Sequence, residues 1–366
     1  MKIEECAIRR FKLFDRYDLR FTNAALDEIS DRFCVLGDNG SGKTSVLQAI
    51  AITLGMATGR IRSVNEFDWI GFLPERYMRG GMPRIDLTVR FSREEIEATR
   101  EASARWRDSM PQDFWQSRAY QEPGDSEVVR IWLEGTSLRS DSYAHLLQFR
   151  GRRYVSHLLK TDPAARDLFV ALPDVFWFDQ YRNLAVTQPA PGDTDTTQGS
   201  GAKASFEVGV SRLRRHLNGW KLAEQQRGPY RQSYLSQLEA HFQRVFPDRQ
   251  FAGVEQMSRI ANPTPEDFYF LISDGAHEYD IAEMSAGEQS VFAILYDFVL
   301  LSIANSVILI DEIDLNLHPP AAQLLVRSLR RIGPDCQFIF TTHSDAVSAI
   351  ISPEETHRLP GGVLCL

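Results

Sequence analysis

Apolar residues recur along this chain in patterns whose order predicts an α/β protein. Residues 2–9 and 17–22 read as two strands, and a third, Phe33–Leu36, is apolar throughout. A helix follows in which Val46, Leu47, Ile50 and Leu54 fall at helical spacing. Residues 84–91 (RIDLTVRF) alternate as a strand, and Ser92 with Glu95 forms a capping-box signature opening a helix through about Arg107. A strand is expected over 127–133, mainly helix over 143–172, and a short apolar strand at Phe176-Trp177-Phe178, leading into Asp179-Gln180. Residues 188–205 (QPAPGDTDTTQGSGAKAS) are Gly, Pro, Thr and Ser with nothing to bury, which predicts a mobile loop. Helical spacing returns over 206–246, and strands are expected near 250–257 and 267–273. From Ser285 onward the order is helix, buried strand, helix, buried strand. Val307–Ile310 and Phe338–Phe340 are apolar on both faces, as in a covered parallel sheet. Neither an internal repeat nor a sustained heptad pattern is present, so no long coiled-coil arm is expected.

Composition narrows the class. A chain of 366 residues suffices for one large or two modest domains, and 43% hydrophobic with 25% charged residues is ordinary for a globular protein. A net charge of −8 confines any nucleic-acid contact to a local patch. Cys6, Cys34, Cys336 and Cys365 show no metal-ligand spacing. The opening MKIEECAIRRFKLFD lacks the apolar stretch of a signal peptide, and no apolar run approaches the roughly 20 residues that span a bilayer. A cytoplasmic protein without membrane contact is expected.

Four short motifs carry the chemistry. Residues 37–44, GDNGSGKT, match GxxxxGK[ST] at every fixed position, after a strand and before a helix. Gly37, Gly40 and Gly42 let backbone N–H groups close around phosphate oxygens, with Asn39, Ser41 and Ser45 completing the cradle. Lys43 is placed to bridge the β- and γ-phosphates of ATP, and the Thr44 hydroxyl to hold Mg²⁺. Residues 306–312, SVILIDE, are an apolar strand ending in two carboxylates. Asp311 would hold Mg²⁺, and Glu312 would polarise the attacking water as general base. The remaining two are MSAGEQ at 284–289 and QFIFTTHS at 337–344.

MSAGEQ resembles the signature of ABC-type ATPases, usually LSGGQ or LSxGEQ. In that family it caps the γ-phosphate held by the other subunit. The resemblance gives this role to Ser285, Ala286, Gly287 and Glu288, at the start of a helix whose N-terminus favours anions. The segment IDLNLHPPAAQ resembles the family's D-loop, with Asp314 its acidic residue, and His343 resembles the switch histidine that senses the γ-phosphate. For the glutamine that links Mg²⁺ and water to movement of the inserted lobe, Gln180 is the choice, with Gln148 and Gln188 as alternatives. IRRFKLF resembles an N-terminal strand of the chromosome-associated branch. There Arg10 and Lys12 either touch the nucleotide or form a solvated basic turn.

The resemblance covers residues 1–60 and 280–350. It implies an ABC-type P-loop NTPase head with a mixed sheet core: 1–92 as its N-terminal part, 93–280 as an inserted, mainly helical lobe, and 281–366 as its C-terminal part. Ser285 stands much farther from Lys43 than transporter ATPases place their signature. The LHP and TTHS segments resemble the SMC, RecF and OLD-like branch, in the compact form found in bacterial anti-phage systems. The expectation is an ATPase that closes as a homodimer around two ATP and regulates a separate effector, a nuclease or toxin. The alternative is a RecF-like ATPase clamping duplex DNA through SRLRRHLNGWK (211–221) with Arg150, Arg152 and Arg153.

Overall fold

The computed structural model of the chain describes residues 1–23, 28–116, 119–184, 202–226, 233–259 and 261–360. They form two compact units. The first comprises Met1–Gln180, Ala304–Ile313 and Gly333–Leu366, the second Tyr181–Ile303 and Asp314–Ile332.

The first unit is organised around the helix Lys43–Thr58. Every residue of this helix except Thr44 is buried. Its sequence, KTSVLQAIAITLGMAT, has no polar face to offer water, as expected of a helix covered all round. Strands of two five-stranded sheets pack against it. One is parallel, in the order Thr356–Arg358, Arg32–Leu36, Gln337–Thr341, Val307–Ile310, Val175–Phe178. The other is antiparallel, in the order Phe14–Arg20, Lys2–Phe11, Arg84–Arg90, Val128–Glu134, Ser137–Ser140. The sheet core is thus mixed through two sheets of opposite kind. Buried Gln337 ties them together: its amide accepts from Ile3 N at 2.7 Å and donates to Ile3 O at 2.9 Å and Ser30 O at 3.2 Å. All but one of its hydrogen-bonding positions are thereby used in a place closed to water.

The capping box forms as expected. Ser92 Oγ accepts from Glu95 N at 3.2 Å, while Glu95 accepts from Ser92 N at 2.8 Å, opening the helix Arg93–Ser109. This helix packs through Ala98 and Ala102 against Val155 and Leu158 of the helix Gly151–Leu158.

The second unit holds the helices Ala202–Gln225, Tyr234–Val245, Ala286–Leu300 and Pro319–Ile332, with an antiparallel sheet Gln250–Gln256, Phe268–Ser273, Glu278–Asp280. Phe242, Phe270 and Phe292 are fully buried in its core. An ion pair between Arg214 and the buried Asp280 joins the longest helix to the sheet.

The expected loop 188–205 is only partly observable. Residues 188–201 lie outside the described residues, but 202–205 belong to the helix Ala202–Gln225. The Gly- and Ser-rich composition ran past the true boundary, since Ala202, Lys203 and Ala204 are good helix formers. Several strands escape the hydrophobic pattern, among them Ser137–Ser140, Glu278–Asp280 and Thr356–Arg358, because they are short and largely polar.

Candidate nucleotide site

The strand Arg32–Leu36 delivers the chain into GDNGSGKT. Gly42 is required there twice over. Its φ of 101° is left-handed, and a Cβ would meet the Phe14 ring at 2.6 Å. Asp38, Asn39 and Gly40 are exposed at the loop tip, Ser41 is half-buried, and Ser45 is buried in the first helical turn. The Lys43 ammonium donates to Gly37 O at 2.9 Å and Asp38 O at 3.0 Å, so the loop is curled around its own lysine. Burial pushes that ammonium below its ordinary pKa, against the opposing pull of Asp311, Glu312 and Asp38.

Behind the loop runs a short hydrogen-bonded chain. Thr44 Oγ1 donates to Asp311 Oδ2 at 2.8 Å, and Thr341 Oγ1 donates to Asp311 Oδ1 at 2.7 Å. The Thr341 hydroxyl also accepts from Glu312 N at 2.7 Å. Asp311 is 1% exposed, whereas Glu312 is half-buried, in a left-handed conformation with φ 48°. Such a φ is uncommon for a residue other than glycine and is held here by the Thr341 contact and by Ile313 N donating to Thr341 O at 3.0 Å.

Asp311 N donates to Phe178 O at 2.9 Å, continuing the parallel register in which Phe178 faces Ile310. Asp179-Gln180 therefore leaves the sheet beside Asp311-Glu312. Exposed His343 leaves the neighbouring strand two residues after Thr341. The carboxyl ends of the parallel strands thus gather the phosphate loop, Gln180, Asp311, Glu312 and His343, the edge where open α/β sheets bind ligands. Gln148 is buried, its amide donating to Ser126 O at 3.0 Å, and Gln188 lies outside the described residues.

Two observations bear on nucleotide and Mg²⁺. Among the described residues, the buried Ser41 hydroxyl has no hydrogen-bond partner. No cluster of three His, Cys, Asp or Glu could hold a metal by itself among them. Thr44 and Asp311 are instead the small oxygen set with which Mg²⁺ is held when phosphate oxygens and water complete its shell. The residues fit the group.

The signature segment belongs to the second unit. Ser285 and Ala286 are exposed at the start of the helix Ala286–Leu300. Ser285 Oγ accepts from Glu288 N at 3.3 Å, and Ser285 N donates to Glu288 Oε2 at 2.9 Å. Glu288 Oε1 accepts from Arg249 Nε at 2.7 Å and Tyr279 OH at 2.9 Å. Burial raises the Glu288 pKa, but the hydrogen bonds from Arg249, Ser285 and Tyr279 outweigh it and leave the group below its ordinary value. Its carboxylate holds the motif's shape from within. A Cβ on Gly287 would stand 2.5 Å from the Asn316 carbonyl oxygen, so glycine lets the backbone around Asn316 approach the helix. Asp314 opens the turn before it, its carbonyl accepting from Leu317 N at 3.0 Å.

Sequence reasoning passed over Thr341, Phe14, Arg249 and Tyr279. Thr341 lies inside QFIFTTHS, and its place directly after the apolar run Phe338–Phe340 was the available signal; the other three carry none. The basic residues weighed for DNA are largely spent inside the fold. Arg214 pairs with Asp280 and Arg215 with Glu266. Arg152 is buried, donating to Leu172 O and Phe169 O at 3.0 Å each, and desolvation lowers its pKa to about 10. Lys12 donates to Gln48 Oε1 with its ammonium over the Phe72 ring. Arg10 and Lys12 both have left-handed φ, at 49° and 51°. No helix among the described residues is long and apolar enough to cross a membrane.

Residues 211–349 match the family described as "AAA domain, putative AbiEii toxin, Type IV TA system". The chain is 36% identical over 103 residues to "Retron Vc95 probable ATPase" of Vibrio cholerae serotype O1 biovar El Tor, covering 25% of this chain and 20% of that protein. It is 32% identical over 93 residues to "Retron Ec83 probable ATPase" of Escherichia coli, covering 22% and 17%. It therefore spans about a fifth of the length of these relatives. Similar solved structures include an SMC head bound to the C-terminal winged-helix domain of ScpA, at 15% identity and TM-score 0.46 over 95% of this chain and 91% of that one. Another is the SMC head domain from Thermotoga maritima, at 16% identity and TM-score 0.44 over 98% and 94%. The chain thus carries a phosphate-loop motif at residues 37–44 together with a segment similar to an AAA, AbiEii-type domain and to part of two probable ATPases.

Proposed function

We propose that the chain binds and hydrolyses ATP as a closed homodimer and thereby regulates a separate effector, a nuclease or toxin, in anti-phage defence. The observation that carries the catalytic part is the hydrogen-bonded chain Thr44–Asp311–Thr341–Glu312 behind the phosphate loop. In this reading Lys43 exchanges its contacts with Gly37 O and Asp38 O for β- and γ-phosphate oxygens, at little cost because the ammonium is already desolvated. Mg²⁺, held by Thr44 and Asp311, supplies charge neutralisation at the phosphates. Glu312 accepts the proton of the attacking water, and its fixed backbone aims the carboxylate. His343 donates to the γ-phosphate, and Gln180 stands where it can report nucleotide state. Exposed Ser285 and Ala286 present a hydroxyl and an N–H, respectively, at a helix N-terminus, which suits the γ-phosphate held by a second copy. Defence is supported by the retron names of the relatives and the toxin–antitoxin description of the family.

The test is a tagged Glu312→Gln variant recovered from its host with and without ATP and Mg²⁺. The expected result is an ATP-dependent dimer carrying a stoichiometric protein partner, with turnover reduced about 10²-fold or more. Parental turnover in this variant would remove Glu312 as the base. A monomer under all conditions would remove the dimer.

A further inference from the structure

We propose that the first unit carries a second nucleotide-binding pocket, apart from the phosphate loop, which takes a base on aromatic rings and its phosphate on Arg150 and Arg153. The pocket is a cavity of about 470 Å³ bounded by Trp106, Trp115, Tyr120, Tyr154, Arg150 and Arg153, within the range of small-molecule sites. Trp106 is the centre of an aromatic cluster, with ring centroids 5.4 Å from Trp115 and 5.3 Å from Tyr154. Trp115 lies a further 5.6 Å from Tyr120. These rings are not a closed core, since Trp106, Trp115 and Tyr120 are only half-buried and Tyr143 at the rim is 61% exposed. Half-exposed aromatic rings at a cavity wall favour a planar ligand.

Charge settles the rest of the ligand's chemistry. Among the described residues no Asp or Glu lines the cavity, in a chain of net charge −8. Arg153 is exposed and pairs with no carboxylate among the described residues. Arg150 beside it donates to Met56 O at 3.1 Å. Burial, then the repulsion of Arg153, pushes the Arg150 guanidinium below its ordinary pKa. Two guanidiniums held together without a counter-charge leave a place for an anion, and a phosphate accepts their forked donors well. Base and phosphate together specify a nucleotide. The Arg150 contact falls on a carbonyl in the last turn of Lys43–Thr58, the helix that the phosphate loop opens.

Lys43→Ala protein, in which the phosphate loop is disabled, isolates this pocket. Adenosine 5′-monophosphate is the probe, titrated by equilibrium dialysis alongside tryptophan fluorescence. The expected result is one saturable site per chain with quenched fluorescence, weakened at least tenfold by adding Arg153→Glu or Tyr143→Ala. Both residues are exposed, so neither change empties a buried contact, and unchanged melting curves confirm folding. The proposal is overturned by no saturable binding at millimolar nucleotide, or by an affinity unmoved in both variants. Inorganic phosphate binding as tightly as the nucleotide would also overturn it, by removing the base. Binding of an oligothymidylate without any mononucleotide would overturn it in favour of single-stranded nucleic acid.

Discussion

Thr341 makes three contacts, two of which need a hydroxyl. Its hydroxyl donates to Asp311 and accepts from Glu312 N, and its carbonyl accepts from Ile313 N. Thr341→Val keeps the shape and removes the first two. A buried carboxylate oxygen and a backbone amide then lose their partners, at about 1–3 kcal/mol. The expected outcome is a lower melting temperature together with slowed ATP turnover at nearly unchanged nucleotide affinity, and recovery of both in Thr341→Ser. Glu288 supplies a pH-dependent counterpart. Its folded pKa lies below its ordinary value of 4.5, so the folded state holds its proton less tightly than the unfolded chain. The stability it contributes is therefore present above about pH 4.5 and lost as pH falls through the lower folded pKa. Melting curves of the parent and Glu288→Gln should differ most at neutral pH and converge on acidification. Equal differences at pH 7 and pH 4 would show that the carboxylate charge is not what matters.

Among the elements, the meeting of the helix Ala286–Leu300 with the backbone at Asn316 has the least tolerance. Gly287→Ala sets a methyl group 2.5 Å from a carbonyl oxygen that has no flexible end to swing aside. A destabilisation of about 1–3 kcal/mol is expected in denaturant unfolding, with loss of turnover, against about 1 kcal/mol for the cap lost in Ser285→Ala. A Gly287→Ala protein as active and stable as its parent would mean that the 314–317 turn shifts freely. Element types were legible because one-sided burial leaves an alternation, as in Arg84–Arg90, and complete burial a mainly apolar run, as in Lys43–Thr58 and Val307–Ile310. The strand at Phe176 was legible too, but not its partner. That Val175–Phe178 lies beside Val307–Ile310, bringing Gln180 to the carboxylates, is a matter of pairing and leaves no trace in local pattern. Thr356–Arg358 failed for a related reason, since three polar residues become a strand only because the edge of Arg32–Leu36 needs a partner.

For the molecule as a whole, the expectation concerns association. Ser285→Arg should leave ATP binding by the monomer intact and abolish ATP-dependent dimerisation in sedimentation, because a bulky cation would occupy the exposed start of the signature helix. Dimerisation undiminished by this change would place the interface elsewhere. With Arg152, Arg214 and Arg215 committed inside their units, duplex DNA should be held weakly, and contacts made at low salt should fade steeply by about 0.15 M. Tight binding that persists there would restore the clamp reading.

The strand that feeds the phosphate loop has a consequence for how this protein is made. Its neighbours on both sides, Gln337–Thr341 and Thr356–Arg358, are translated long after Arg32–Leu36 itself. Until then the nascent chain carries an apolar strand with both edges open, a hazard for aggregation that chaperones exist to manage. The same delay is protective for the cell, since a half-made copy has neither Asp311 nor Glu312 behind its loop. Closure of this sheet and assembly of the nucleotide site become, in effect, a single event.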